Sequence, residues 1–210
     1  MFTVFGASGN TGSVVAESLL AKGEKVRVVA RSRDKVQGLA DKGAEVFVGD
    51  VLDAASVAGA LRGASGAYFL LPPDLRSDDL VLRNRRVAEG YARAIDEVGL
   101  PHAVLLSSVG AQVPSGTGPI VTARVAEELL GKTRAKLTRV RAGYFMENIL
   151  AYAHPMKADG VLPVFGGGEA HAFPMIATRD IGEVAADALR RGASAEGIVE
   201  LSGPAEYSFV

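Results

Sequence analysis

Seven residues near the N-terminus, Gly6-Ala7-Ser8-Gly9-Asn10-Thr11-Gly12, have the types and spacing of a loop that holds an anion. Val4 and Phe5 end a short apolar run just before it, and a helical pattern with Val14, Val15, Leu19 and Leu20 on one side follows it. Strand, glycine turn and helix in that order is the setting in which a glycine-rich loop cradles a pyrophosphate. Gly6 lets the chain turn off the strand, Gly9 lets backbone approach the phosphates, and Gly12 lets the helix sit close to the strand. The free N–H groups and the positive dipole end of the helix then face the anion. The spacing is GxxGxxG, one residue longer than the commoner GxGxxG, so a plain structural turn is the competing reading.

Dinucleotide sites of this type place an acid about 20 residues past the glycines to hold the ribose hydroxyls. Here that place holds Arg31, with Arg33 and Lys35 beyond it. A carboxylate repels a 2′-phosphate, whereas a guanidinium grips it with paired hydrogen bonds. NADP(H) is therefore expected over NAD(H), which stays possible, although Asp34 weakens the basic character. Asp50 has two readings: an acceptor for the adenine amino group, or a turn residue that shapes Gly49-Asp50. Ser107 and Ser108 also have two, as hydroxyls for the nicotinamide or substrate, or as ordinary strand-to-loop serines.

One expected pair is missing. Hydride enzymes on such scaffolds often carry Tyr-x-x-x-Lys on the helix after the fifth strand, where the lysine lowers the tyrosine pKa. No tyrosine lies between Tyr91 and Tyr144, and Lys132 and Lys136 fall past the helix face in question. Arg124 is the nearest cation there; it is no proton donor at ordinary pH, and a surface position is its simpler reading. His154 and His171 are isolated and show no ligand spacing, so no catalytic residue is assigned and no metal site is expected.

The elements that would position these residues alternate along the chain. Strands are predicted at Lys25–Ala30, Ala44–Val48, Ala67–Leu71, His102–Leu106, Leu137–Val140 and Ile198–Leu201. Helices are predicted at Asp34–Ala40, from the Asp53 cap to Leu61, at Asp78–Val98, Pro119–Leu130 and Gly143–Ala153, and from an Asp180/Glu183 capping box to Arg191. In the long helix Leu80, Val87, Tyr91, Ile95 and Val98 mark the buried stripe. Pro72-Pro73 closes the fourth strand, and residues 155–177, with Gly166-Gly167-Gly168, read as short extended pieces.

The alternation implies an α/β fold: a doubly wound parallel sheet (Rossmann) with first strands ordered 3-2-1 and a small C-terminal annex on the substrate side. One domain is expected over 1–210, with 143–177 contributing the annex. The crevice at the carboxyl ends of the strands then gathers Val51 beside Asp50, and Leu71 and Pro72, as cofactor contacts.

The 210 residues are 48% hydrophobic and 22% charged, enough for a sizeable core, with a net charge of −1 that suggests neither a nucleic-acid nor an anionic-membrane surface. Absence of cysteine excludes disulfides and thiolate chemistry. The first strand begins at residue 2, leaving no room for a signal peptide, and no apolar run reaches the ~18 residues of a membrane span. A cytoplasmic protein is the expectation. The arginines of the long helix, Arg83, Arg85, Arg86 and Arg93, read as a solvated face rather than a subunit contact.

Taken in order, Gly6 to Gly12, Ser107-Ser-Val-Gly-Ala-Gln112, Gly116-Thr-Gly-Pro-Ile120, Arg141-Ala-Gly-Tyr-Phe-Met-Glu-Asn148 and Phe173-Pro-Met-Ile-Ala-Thr-Arg-Asp-Ile-Gly182 resemble an NmrA-like protein, of the atypical short-chain dehydrogenases. The resemblance covers nearly the whole chain. It implies NADP(H) or NAD(H) over the glycine loop, with either of two roles. One is reduction of a small acceptor such as a quinone or triphenylmethane dye; the other is redox sensing through a regulatory protein partner without turnover. It also implies that Tyr144, Phe145 and Asn148 lie near nicotinamide and substrate, with Gly110 on the acceptor side. Many relatives carry a lysine where this chain has Thr122-Ala123-Arg124, which bears on catalysis and not on cofactor binding. Relatives also continue past a Gly-Pro-x-x-Tyr-Ser segment into structure that helps close the pocket, whereas this sequence stops at Val210, implying a shortened chain or an open pocket.

Overall fold

The computed structural model describes residues 1–72, 77–160 and 172–208. The expected turn residues Pro73 and Gly166-Gly167-Gly168, and the isolated His171, lie outside the described residues, as does the His154 side chain.

Short β-branched and aromatic runs form a parallel sheet. Its strands are β1 (Phe2–Val4), β2 (Val26–Ala30), β3 (Glu45–Val48), β4 (Gly66–Phe69), β5 (His102–Ser108), β6 (Lys136–Ala142) and, after two annex strands, β9 (Gly197–Leu201). Their order is β3-β2-β1-β4-β5-β6-β9, with every pairing parallel. The 3-2-1 half and the reversal beside β1 are the predicted doubly wound topology. A second, mixed sheet joins β7 (Tyr144–Phe145), β8 (Phe173–Ile176) and β10 (Glu206–Tyr207) in the order β10-β8-β7, and forms the C-terminal annex.

The inner parallel strands are buried on both faces, so their residues alternate between two cores, whereas the edge strands β3 and β9 expose residues to water. Val4, Tyr68, Val104 and Val140 face α1 (Asn10–Ala21), α2 (Gln37–Asp41) and α7 (Thr178–Arg191). Phe5, Phe69, Leu105 and Leu137 face α3 (Ala54–Leu61), α4 (Leu80–Val98) and α5 (Val121–Leu130). Under the crevice Phe5, Phe69 and Tyr91 pack ring on ring, with centroids 4.8–5.2 Å apart. Each such pair contributes ~0.5–1.5 kcal/mol beyond its buried area. The Tyr91 hydroxyl donates to the Leu70 carbonyl at 3.1 Å, which ties α4 to the chain leaving β4.

Several predicted elements shift. Asp34–Ala40 is a tight 3₁₀ turn at Arg33–Val36 followed by α2. The long helix, expected from Asp78, begins at Leu80 and is capped by Asp79, which accepts from the Leu82 N–H at 2.8 Å. Gly143–Ala153 is no single helix: it is β7, then a 3₁₀ turn over Met146–Tyr152, leading to α6 (Ala153–Asp159). Residues 155–159, predicted extended, thus belong to a helix. Pro155 sits in its first turn, where a missing N–H breaks no helical bond. The Asp180/Glu183 box does not open α7. That helix begins at Thr178, and the cap comes from Glu147, whose two carboxylate oxygens each accept from the Thr178 N–H at 3.0 Å.

Candidate functional site

Because the main strands are parallel, every loop named from the sequence leaves the same edge of the sheet. The glycine loop follows β1, Arg31 and Arg33 follow β2, and Asp50 and Val51 follow β3. Leu71 and Pro72 follow β4, Ser107 to Gly110 end and follow β5, and Tyr144, Phe145 and Asn148 follow β6. The fold brings together every candidate at one crevice edge, although individual side chains point in different directions.

The glycine loop is built tightly. Gly6 has φ +66°, a conformation that L side chains rarely adopt, and the Gly9 N–H donates back to its carbonyl at 2.9 Å. Gly12 approaches so closely that a Cβ there would lie 2.3 Å from the same carbonyl oxygen. Gly9 differs: a Cβ would meet only the Gly6 oxygen, at 3.4 Å, and would otherwise project into open space. Ser8, Gly9 and Asn10 are exposed, Ala7 and Thr11 are buried, and the Thr11 hydroxyl accepts from Tyr68 at 3.0 Å. No side chain caps α1, and its first turn carries no acid. The leading N–H groups of α1 are therefore left without a side-chain partner, the arrangement that suits an anion.

Arg31 lies one residue past the end of β2, exposed, and neither it nor Arg33 makes an ion pair among the described residues. Asp50 is exposed, and one of its oxygens accepts from the Leu52 N–H at 2.9 Å, so it does shape the turn. A cavity of about 340 Å³ opens beside that turn, between Leu52 and the start of α4, with Asp79, Leu82 and Arg86 among its walls. The carbonyl of Pro72 accepts from Arg83 at 3.2 Å.

The two serines part company. Ser107 is 5% exposed and donates its hydroxyl to Glu127 on α5, away from the crevice. Ser108 is half-buried, and its hydroxyl donates to the Val109 carbonyl at 2.9 Å. Glu127 also takes a two-pronged ion pair from Arg141 on β6, at 2.9 and 2.7 Å, with Arg139 farther off at 3.8 Å. Burial pushes the Glu127 carboxyl upward, but the bonds from Arg141 and Ser107 outweigh it and hold the group below the ordinary carboxylate range. This buried cluster escaped the sequence reading. Its signal was Arg141, a cation in an otherwise buried strand stretch, which requires a carboxylate partner.

On the annex side Tyr144 packs edge-on against Phe173, centroids 5.4 Å apart, and shares a hydrogen bond with Asn148. Burial raises the Tyr144 hydroxyl above its ordinary value, Tyr152 adds to this, and the Asn148 bond offsets part. Arg124, expected as a surface residue, lies at the surface and is engaged there: it donates to the Gln112 carbonyl at 2.9 Å and pairs with Glu128 at 2.9 Å. Among the described residues no group of three or more His, Asp or Glu is placed to hold a metal ion, and no helix is long and apolar enough to cross a membrane.

Residues 6–191 match the NAD(P)H-binding family. The chain is 25% identical over 213 residues to the NAD(P)H azoreductase of Xenophilus azovorans, an alignment taking in 99% of this chain and 70% of that protein. It is 31% identical over 180 residues to the NmrA-like family domain-containing oxidoreductase himF of Aspergillus japonicus, covering 80% of this chain and 51% of the other. It thus spans about half the length of that relative. Among solved structures, the Citrobacter triphenylmethane reductase complexed with NADP(H) superposes with TM-score 0.84 at 20% identity, over 99% of this chain and 72% of that one. The NADPH complex of the Escherichia coli quinone oxidoreductase QOR2 gives 0.81 at 24%, over 99% and 71%. At these identities the two structures speak for the fold.

Proposed function

The chain belongs to the NAD(P)H-binding family and resembles its NmrA-like members; from that premise we propose that it binds NADP(H) in preference to NAD(H) and passes hydride to a quinone-like or dye-like acceptor. The observation that carries the reading is the open start of α1 behind Gly6–Gly12, with Arg31 exposed and without an ion pair among the described residues, one residue beyond β2. Backbone N–H groups of the loop hold the pyrophosphate, and Arg31 with Arg33 holds the 2′-phosphate. Val51, Leu71 and Pro72 flank the adenosine half, with the second Asp50 oxygen toward the adenine amino group. In this reading residues 1–210 act as one NAD(P)-binding unit, and 143–177 form its acceptor side.

The bound cofactor would supply a hydride. This chain's own residues supply placement and exclusion of water rather than acid catalysis. Ser107 has its proton committed to Glu127, and the Tyr144 hydroxyl is held above its ordinary pKa. An ordinary carbonyl reduced here would leave a strongly basic alkoxide with no acid of lowered pKa beside it to protonate it in step with hydride transfer. A cationic dye becomes neutral on accepting hydride, and a quinone becomes a hydroquinone anion that takes its proton from water. The acceptor lies between Ser108–Gly110 and Tyr144–Asn148, which the Val109 N–H to Ala142 carbonyl bond, 3.0 Å, holds side by side.

Oxidation of NADPH and of NADH against a panel of quinones and cationic dyes tests this. Turnover with at least one acceptor and tighter NADPH binding supports it. Cofactor binding without turnover on any of them refutes hydride transfer and favours the sensor alternative, and equal affinity for both cofactors refutes the Arg31 assignment.

A further inference from the structure

The segment that leaves β5 carries one of the two walls just assigned to the acceptor. It is a succession of tight turns: the Ala111 N–H donates to the Ser108 carbonyl at 3.1 Å and the Val113 N–H to the Gly110 carbonyl at 3.0 Å. Gly110 has φ +92°, and a Cβ on it would touch the Ile120 side chain at 3.7 Å. Gly116 and Gly118 also have positive φ, so the segment from Gly110 to α5 is rich in residues with little conformational restraint of their own. Among the described residues, a side-chain hydrogen bond ties this loop to α5, from Arg124, twelve residues beyond Gln112. Arg124 donates one guanidinium nitrogen to the Gln112 carbonyl and another to Glu128, one turn further along its own helix.

We propose that Arg124 is a positioning residue that clamps the 109–113 loop to α5 and so fixes the acceptor-side wall of the crevice. The inference rests on the hydride-transfer reading for its kinetic consequence, and not for the clamp itself. The geometry needs a guanidinium. A planar fork serves two acceptors lying in different directions at once, and Glu128 aims the fork so that the second prong meets Gln112. The ion pair is half-exposed and contributes little stability by itself, so its value lies in orientation. Arg124 carries no transferable proton near neutrality, so it is not itself a proton donor. A lysine at this position would reach either Gln112 or Glu128, and not both.

Arg124→Gln and Arg124→Lys separate the possibilities. Three quantities are read on the whole chain: amide hydrogen exchange of residues 110–116, NADPH affinity from nicotinamide fluorescence, and steady-state kinetics with menadione. Losing one charge-assisted, partly exposed hydrogen bond should speed loop exchange about tenfold in Arg124→Gln and raise menadione KM by about the same factor. kcat and NADPH affinity should stay within about twofold, and Arg124→Lys should fall between wild type and Arg124→Gln in both loop exchange and KM. Unchanged exchange in Arg124→Gln overturns the clamp. A fall in kcat at constant KM overturns it too, since that would place Arg124 at the reacting atoms. If the wild type reduces no acceptor, the hydride-transfer reading fails, and the exchange measurement alone still decides the clamp.

Discussion

Two glycines of one loop should fail in opposite ways when replaced by alanine. Gly12 lies in the first turn of α1, where an added Cβ would sit 2.3 Å from the Gly6 oxygen, 2.6 Å from the Gly6 carbonyl carbon and 3.0 Å from the Ala7 nitrogen. All three are backbone atoms of a turn already fixed by the 2.9 Å bond between Gly9 and Gly6, so they cannot swing aside. Alanine in a helix gains ~1 kcal/mol over glycine from propensity. Overpacking a tight site costs ~1–3 kcal/mol, and more where only backbone can yield. The clash wins, and Gly12→Ala should lose about 1–2 kcal/mol net, or roughly 2–8 °C in Tm for a chain of this size. Gly9 has φ −101° and ψ 173°, ordinary extended backbone, and its Cβ would meet nothing nearer than 3.4 Å. Gly9→Ala should therefore keep its Tm or gain slightly, because fewer unfolded conformations compete.

Binding should show the converse contrast. The Gly9 Cβ projects into the space before α1, where the pyrophosphate is expected. Losing two charged hydrogen bonds there amounts to about 3 kcal/mol or more, roughly a hundredfold weaker NADPH affinity. Thermal unfolding of the free protein and fluorescence titration with NADPH measure the two effects separately. Wild-type affinity in Gly9→Ala would mean that the loop is only a structural turn. Wild-type stability in Gly12→Ala would mean that the loop does not close onto the helix as the distances require.

Other substitutions probe the remaining parts of the site and the core. Arg31→Asp should reduce the preference for NADPH over NADH by about tenfold to a hundredfold, the scale of a charged hydrogen bond, and an unchanged ratio of dissociation constants refutes the 2′-phosphate role. Tyr144→Phe should lower kcat less than about fivefold, against the ~100-fold or more lost with a general acid, and quinone turnover should be nearly flat across neutral pH. A severe kcat loss at unchanged cofactor affinity would make Tyr144 the proton donor. His102 is 1% exposed at the foot of β5, bonded through Nε2 to Thr138 at 2.9 Å and with Nδ1 unpartnered among the described residues. Burial lowers its pKa, with Glu196 opposing. The unfolded chain therefore takes up the proton first, and stability that is complete above pH ~6.5 falls as pH drops toward the folded value, by at most ~1.4 kcal/mol per unit. Chemical denaturation at pH 7.5 and 5 should show a smaller loss in His102→Gln than in wild type, and equal losses would refute it.

What could be read from the sequence was what local pattern encodes. Strand, glycine turn and helix around Gly6–Gly12 lie within about twenty residues, and each signal reinforces the next. The alternation that continues from there determines the sheet order, because parallel strands need crossovers and crossovers share one hand. The parts that stayed hidden are contacts between distant residues. Glu147 caps α7 from 31 residues away, and its carboxylate overrides the local Asp180/Glu183 box that the spacing suggested. Nothing in a single sequence distinguishes that carboxylate from a solvated one.

The same limit explains why the serines could not be told apart in advance. Both end β5, and successive strand residues face opposite sides, so neighbouring identical hydroxyls must meet different environments. Ser107 shares its face with Ala103 and Leu105, which leads it to α5, where Glu127 waits with Arg141. Ser108 shares the face of Val104 and Leu106, the side that α1 covers. The open start of α1 lies on that side as well. Strand alternation, applied once the position of one neighbour is known, thus separates a hydroxyl locked into the scaffold from one that remains at the crevice. The charge pair behind Ser107 gives the scaffold its stiffness there. Removing either ion would leave the other with only a longer, weaker charged partner, Arg139 at 3.8 Å for Glu127 or Glu200 at 3.5 Å for Arg141, a loss of up to ~3–5 kcal/mol, so the end of β5 is held in place just where the proposed chemistry relies on placement alone.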